Sequence, residues 1–269
     1  MSLTKQEYLA FKARCAQFLT DVEYPLRVSE EEHGRFLNTA KITAGHERFS
    51  FVVNLLSFEI THCIGAERWL GYSSRPYSMF DYFKSIHPSY VEQLMQMAIA
   101  TLEVTNQFPG SVRYMDQRII ACIPMKDKNG EYWWVKRESA SFQFDAKGRI
   151  TAYANLFTVV KEYDGESMTP RYSDQAGNSK NELYDMFVER YQQRIRERLP
   201  FTKRQFEILQ IYSEGAGWTS QQVGRKLSIS KQTIDKHNQS ILTAARNQYA
   251  RLFISANEVA HFLRTEKII

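Results

Sequence analysis

Apolar residues recur at steps of three and four along residues 2–24, where Tyr8, Phe11, Cys15, Phe18, Leu19 and Val22 make one stripe. That period predicts an amphipathic helix stopped by Pro25. A polar stretch, Ser29 to His33 with Glu30, Glu31 and Glu32, follows it. From about Arg48 the period changes, and Phe49–Leu56 and Phe58–Ile64 predict two short strands joined by a turn. A helical patch at Ala66–Gly71 precedes a loop holding Pro76 and the pair His87-Pro88. Tyr90–Val104 carries Val91, Leu94, Met95 and Ala98 on one side and predicts a helix. Gly110–Pro124, Tyr132–Phe144 and Ile150–Lys161 predict three more strands, with Asn129-Gly130 and Lys147-Gly148 at the turns. Two strands, short helices and a meander of three strands predict a five-stranded antiparallel sheet with helices packed on one face, an α+β domain.

Residues 163–180, rich in Gly, Ser, Asp and Asn and containing Pro170, predict a linker. Beyond it, Leu183, Met186, Phe187, Tyr191, Ile195 and Leu199 mark one face of a helix over Asn181–Leu199. Such a helix needs a cover for its apolar face, either its own domain or a two-fold partner helix. After Pro200 helix starts follow in quick succession. Thr202-Lys-Arg-Gln205, Thr219-Ser-Gln-Gln222 and Ser255-Ala-Asn-Glu258 match the capping box, and Ser230 with Thr233 opens another helix. Four helices are predicted, at about 202–214, 219–227, 230–246 and 255–265, an all-α domain. The second and third are separated by only Leu227-Ser228-Ile229, the spacing of a helix-turn-helix. The domain boundaries read 1–47 for a helical extension, 48–162 for the α+β domain, 163–199 for linker and connecting helix, and 200–269 for the four-helix domain.

Charge sharpens this division. The chain has 269 residues with 35 Lys+Arg and 30 Asp+Glu, a net +5. Residues 201–269 hold 10 of the basic and 5 of the acidic side chains, so the first 200 residues balance and the whole excess lies at the end. A basic segment beside a neutral one suggests an anionic partner, most often nucleic acid. Cys15, Cys63 and Cys122 are odd in number and lack CxxC spacing, which argues against a disulfide scaffold or a zinc site and points to a reducing, cytoplasmic setting. No apolar run reaches the roughly 18–20 residues of a membrane span, so no membrane partner is expected. Walker-type loops, HExxH, a nucleophile elbow and kinase motifs are missing, so no catalytic residue and no metal site are assigned. An enzyme is not expected.

On the predicted third helix, Ile234, Ile241, Leu242 and Ala245 point inward, leaving Lys231, Gln232, Asp235, Lys236, Gln239 and Arg246 outward. The segments Phe201–Leu209, Thr219–Ser230, Thr233–His237 and Ile241-Leu242 resemble the LuxR-type (GerE-like) helix-turn-helix domain. That resemblance implies a regulator bound to double-stranded DNA. It puts Asp235, Lys236 and Gln239 on base-facing positions and Lys231, Gln232 and Thr233 at phosphates. The last helix, Ser255–Arg264, corresponds to the family's dimer-forming helix, so a homodimer is expected. Two stretches are longer than the family's: the Gly215–Trp218 turn and Asn247–Ile254.

Further upstream, Val53–Cys63, Trp69-Leu-Gly-Tyr72, Met79-Phe-Asp-Tyr82 and Ile86-His-Pro88, closed by Asn129–Trp134 through Val159-Val160, resemble a PAS domain. The resemblance implies a sensor whose sheet and helices enclose a small-molecule pocket or simply a packed core. Trp69, Phe80, Cys122 and Trp134 are the candidate pocket residues. No cofactor is implied. Cys63, in Thr-His-Cys-Ile-Gly, lacks the context of a flavin-adduct cysteine and reads as a buried apolar side chain. His62 and His87 are weak haem candidates, because His87 precedes Pro88 where the family uses a His for the turn. A sensor joined to a DNA reader is the leading expectation; the alternative is a non-enzymatic signalling adaptor using both modules for protein contacts.

Overall fold

A computed structural model describes residues 3–45, 47–71, 77–166, 168–215, 217–249, 251–266 and 268–269. Tyr72 of the PAS-like segment, Pro76 of the predicted loop and Ala216 of the Gly215–Trp218 turn lie outside the described residues. The chain divides into two compact units, Ser2–Tyr191 and Gln192–Ile269.

In the first unit, α1 (Lys5–Ala16) opens with a capping box, Thr4 Oγ1 accepting from Glu7 N at 3.2 Å while Glu7 returns a carboxylate to Thr4 N. The predicted helix over 2–24 is shorter than expected. It ends at Ala16 with a 3₁₀ turn over Gln17–Leu19, and Asp21 takes a φ of +41°, which no helix continues through. The polar stretch that follows is itself a helix start. Ser29 and Glu32 form a capping box on α2 (Glu30–Thr43).

Strands β1 (Arg48–Asn54) and β2 (Glu59–Ile64) pair antiparallel. The crossover then runs through α3 (Ala66–Leu70), α4 (Met79–Ser85) and α5 (Pro88–Gln107). His87 caps α5, its Nδ1 accepting from Ser89 N at 3.4 Å with Pro88 as the first helical residue, which fits the turn role of this His-Pro pair. Strands β3 (Arg118–Lys126), β4 (Tyr132–Phe144) and β5 (Ile150–Glu162) form the meander, with Gly130 and Gly148 at φ +90° in its turns. In the β4–β5 turn Asp145, fully buried, accepts from Lys147 N and Arg149 N and pairs with the Arg149 guanidinium at 2.7 Å.

Two features differ from the expected sheet. It has six strands in the order β2-β1-β5-β4-β3-β6, because β6 (Arg171–Ser173), inside the predicted linker, pairs with Arg118–Ile120 of β3. Both faces are also covered. Inward residues Phe51, Val53, Arg137 and Tyr153 meet the α1 and α5 side. On the opposite parity, Val52, Phe142, Ala152 and Ala154 form a second core covered by Phe36 and Leu37 of α2. Cys63 is exposed on the edge strand β2 rather than buried. No described helix is long and apolar enough to cross a membrane.

Helix α6 (Glu182–Glu197) is continuous across the division between units, with Phe187, Tyr191 and Ile195 buried. The second unit holds α7 (Lys203–Ser213), α8 (Ser220–Leu227), α9 (Lys231–Tyr249) and α10 (Ala256–Thr265). In its core Ile208, Leu209, Val223, Ile234, Ile241, Val259 and Leu263 are all fully buried. Of the expected capping boxes, those at Thr202 and Thr219 form as predicted. At α10 the Ser255 hydroxyl caps Glu258 N, but the Glu258 carboxylate reaches one residue further back, to Ile254 N at 2.7 Å.

Candidate nucleic-acid interface and an internal cavity

The turn between α8 and α9 is set by two residues. Ser228 adopts the left-handed region at φ +55°, ψ +41°, and Ile229 N donates to Gly224 O at 2.9 Å, closing the end of α8. Gly224 is buried where a Cβ would stand 2.7 Å from Ile229 O, so only glycine lets the chain turn this closely. Ser230 then starts α9, its Oγ accepting from Thr233 N at 3.1 Å.

Along α9 the inward and outward faces separate as the sequence pattern predicts, except that Leu242 is only half-buried. Ile234, Ile241 and Ala245 are fully buried. Lys231, Gln232, Thr233, Lys236 and Gln239 are exposed and Asp235 half-exposed, all within the first nine residues of the helix, 231–239. Lys231 Nζ bonds Asp235 Oδ2 at 2.8 Å, and this ammonium, with the Ser220 hydroxyl, holds the Asp235 carboxyl below its ordinary range. Lys236 and Gln239 project one turn apart, offering an ammonium and an amide. Asn238 Nδ2 donates to Tyr212 Oη at 2.9 Å and to Ser220 Oγ at 3.3 Å, which ties α9 to α7 and α8. Arg246 is placed differently from the others. Its Nε and Nη2 both donate to Phe253 O, at 3.0 and 2.6 Å, so it clamps the α9–α10 junction.

The second feature lies in the first unit. A cavity open at its mouth lies between α5, the inward face of β3–β5, β6 and the start of α6. A smaller one adjoins it, reaching Phe11 and Cys15 of α1. The two share Ala98, Arg137 and Tyr153. None of Trp69, Phe80, Cys122 and Trp134 lines either cavity. Strand parity explains Cys122, whose neighbours Ala121 and Ile123 are the fully inward residues of β3. Trp134 is buried with its Nε1 on Asp164 Oδ1 at 2.9 Å, Trp69 stands edge-on to Trp133 at 5.4 Å, and Phe80 packs on Tyr8 at 5.2 Å. The signal that points to the cavity instead is the run Arg137, Ser139, Ser141, polar residues on the inward parity of a central strand.

The cavity reaches the connecting helix. Asn181 caps α6 by accepting from Tyr184 N at 2.7 Å and donates to Tyr172 Oη of β6 at 2.7 Å. Tyr172, Tyr184, Phe187 and Tyr191 follow one another as a ladder of rings 5.6–6.0 Å apart. The first three of these rings line the cavity.

A tight turn from a short helix into a second that presents a polar face at its start defines the helix-turn-helix class of DNA-binding domain. Residues 199–244 match the family described as GerE, bacterial regulatory proteins, luxR family, and the chain carries a domain of that type. No curated protein matches the chain. Among solved structures, similarity is found to the Vibrio cholerae VqmA dimer, at 13% identity and TM-score 0.31 over 90% of this chain and 89% of that one. A phage VqmA-DPO complex is similar at 10% identity and TM-score 0.31, over 89% and 91%. Escherichia coli SdiA is similar at 14% identity and TM-score 0.27, over 97% and 98%. Likeness this weak assigns no ligand and no partner to the chain.

Proposed function

We propose that the chain is a sequence-specific transcription regulator in which a PAS-like sensor with a ligand cavity controls a homodimeric DNA reader. The observation that carries the DNA half is the exposed start of α9, set beyond the Gly224 turn and rich in donors. Lys236 offers its ammonium to guanine, Gln239 its amide to adenine, and Asp235 accepts from cytosine N4. Lys231, Gln232 and Thr233 meet phosphate at the helix start, where the N–H groups of the first turn favour an anion. In the free protein Lys231 is tied to Asp235. On DNA the lysine exchanges that carboxylate for a phosphate and frees Asp235 for a base. Arg246 adds its remaining guanidinium donors to the same electrostatic surface.

The sensor half is supported by two strands, a helical crossover and a meander in one sheet around a cavity, and by the cavity's contact with the start of α6. A ligand that favours one cavity state over another would shift the α6 ring ladder. The test is selection of a preferred duplex from a random pool, followed by affinity against salt. Each phosphate contact contributes roughly one unit of slope in log affinity against log salt. Lys236→Ala is expected to weaken the preferred site by roughly 5- to 100-fold and to relax preference at one base pair. Absent or salt-insensitive DNA binding would reject the reading in favour of a protein-binding adaptor.

A further inference from the structure

Arg137 stands at the junction of the two cavities, on the middle strand of the meander. Its Nε donates to Asn155 Oδ1 at 2.9 Å, a neutral acceptor. The other arginine on this cavity, Arg118, has a carboxylate, Glu138 Oε2 at 3.1 Å, which Lys136 also shares. Among the described residues Arg137 has no such partner. Its planar Nη1/Nη2 fork, with four N–H donors, therefore opens on the cavity uncompensated.

Two phenols stand beside it. Tyr82 Oη is buried and lacks a hydrogen-bond partner, and Tyr153 Oη is buried too, with the Thr105 hydroxyl as its one polar neighbour besides Arg137. Burial pushes the Tyr82 phenol up to about 12 and raises Tyr153 as well, while the positive charge of Arg137 opposes both rises. Both phenols are thus protonated donors within the field of the guanidinium. A half-buried cation without a counter-ion, flanked by buried phenols of which one is unpartnered, is costly unless something supplies an acceptor. Met97, Leu102, Phe51 and Phe187 give the wall its apolar part, while Thr101, Ser139, Ser141 and Asn181 add hydroxyls and an amide.

From this arrangement we infer that the cavity binds a small monocarboxylic acid with an apolar body, its carboxylate held bidentately by Arg137 and bonded by Tyr153 and Tyr82. One unpaired cation balances one negative charge, and the guanidinium fork matches the two carboxylate oxygens in a plane. A phosphate, carrying up to two charges, lacks a second free cation here. The inference rests on the cavity being the sensor's ligand site and adds the chemical class of that ligand.

The test uses the full chain and matched probes: benzoate, phenylacetate and hexanoate, their primary amides, and inorganic phosphate. Binding is measured by calorimetry and thermal shift. At least one acid is expected to bind ten-fold or more tightly than its amide and than phosphate. Arg137→Gln is expected to abolish that difference, and Arg137→Lys to keep the charge but lose most of the affinity with the fork. Tyr153→Phe, which removes one hydroxyl and leaves the packing, is expected to weaken the acid several-fold and the amide less, so the inference remains testable if Arg137→Gln does not fold. Amides binding as well as acids would overturn the carboxylate assignment and leave the ligand site standing. Failure of every acid and amide to bind would overturn both, and tighter binding of phosphate would replace the carboxylate by a dianion.

Discussion

Gly224→Ala and Gly34→Ala are the same substitution inside two helices, and the structure gives them opposite signs. In a helix interior alanine is favoured over glycine by roughly 0.5–1 kcal/mol, because glycine loses more backbone freedom on folding. At Gly34 of α2 a Cβ meets nothing within 4 Å, so Gly34→Ala is expected to stabilise by about that amount. At Gly224 the new Cβ stands 2.7 Å from Ile229 O, with Lys231 N and Ser230 C at 3.5 Å. All three are backbone atoms, so relief requires the α8–α9 turn itself to open. Forced backbone shifts of this kind cost about 1–3 kcal/mol, which outweighs the propensity gain and leaves a net loss of roughly 0.5–2 kcal/mol. Hydrogen exchange read by mass spectrometry on peptides covering 219–240 of the full chain measures this locally. Protection should fall by roughly 2- to 30-fold, since about 1.4 kcal/mol is a factor of ten. The preferred DNA site should weaken in parallel, because the start of α9 is re-aimed. Equal or greater protection in Gly224→Ala, with Gly34→Ala behaving as expected, would refute the view that the turn depends on this close approach.

Other outcomes hang on single contacts. Thr219→Ala removes the hydroxyl that caps Gln222 N and should cost the second unit about 1 kcal/mol, seen as lost exchange protection at the start of α8. Burial alone would raise the Asp145 carboxyl, but Arg149, through its backbone N–H, side chain and charge, holds it below the ordinary range. A depressed folded value means stability that is present above the unfolded value and lost as pH falls through the folded one. The thermal midpoint of the first unit should therefore drop as pH falls below the ordinary aspartate value of about 4, and Asp145→Asn should be less stable at neutral pH yet lose less on acidification. Arg246→Ala frees Phe253 O and should loosen residues 247–254 in hydrogen exchange with a smaller effect on DNA affinity than Lys236→Ala; an equal or larger loss of affinity would make Arg246 a DNA contact first.

The second unit is legible in the sequence almost residue by residue, since each of its helices begins at a hydroxyl three positions before its first satisfied N–H. The first unit is legible as a pattern of strands but not as a solid. Helix α2 leaves no clear period although Ser29 and Glu32 spell a capping box, because its apolar positions Phe36, Leu37 and Ala40 are few and follow a cluster of three glutamates. Without α2, the second covered face of the sheet is invisible as well. Strand β6 is three residues long and flanked by polar turns, too short for any period to register. Rings mark three of the four candidate pocket residues, but the cavity lies where polar residues take inward parity, at Arg137, Ser139 and Ser141.

β6 also changes what kind of connection α6 makes. A loose stretch over 163–180 would act as a tether, tolerant of added length and transmitting only proximity. Instead the chain is pinned to the sheet edge at Arg171–Ser173, and Asn181 bolts the first turn of α6 to Tyr172. From that fixed point α6 runs unbroken to Glu197. Under the proposed regulation, the output of α6 is a matter of phase: one residue inserted within it turns the rest of the helix by about 100° and advances it by about 1.5 Å, whereas four residues nearly restore the bearing. Regulation through α6 should survive insertions by whole turns and fail for those between.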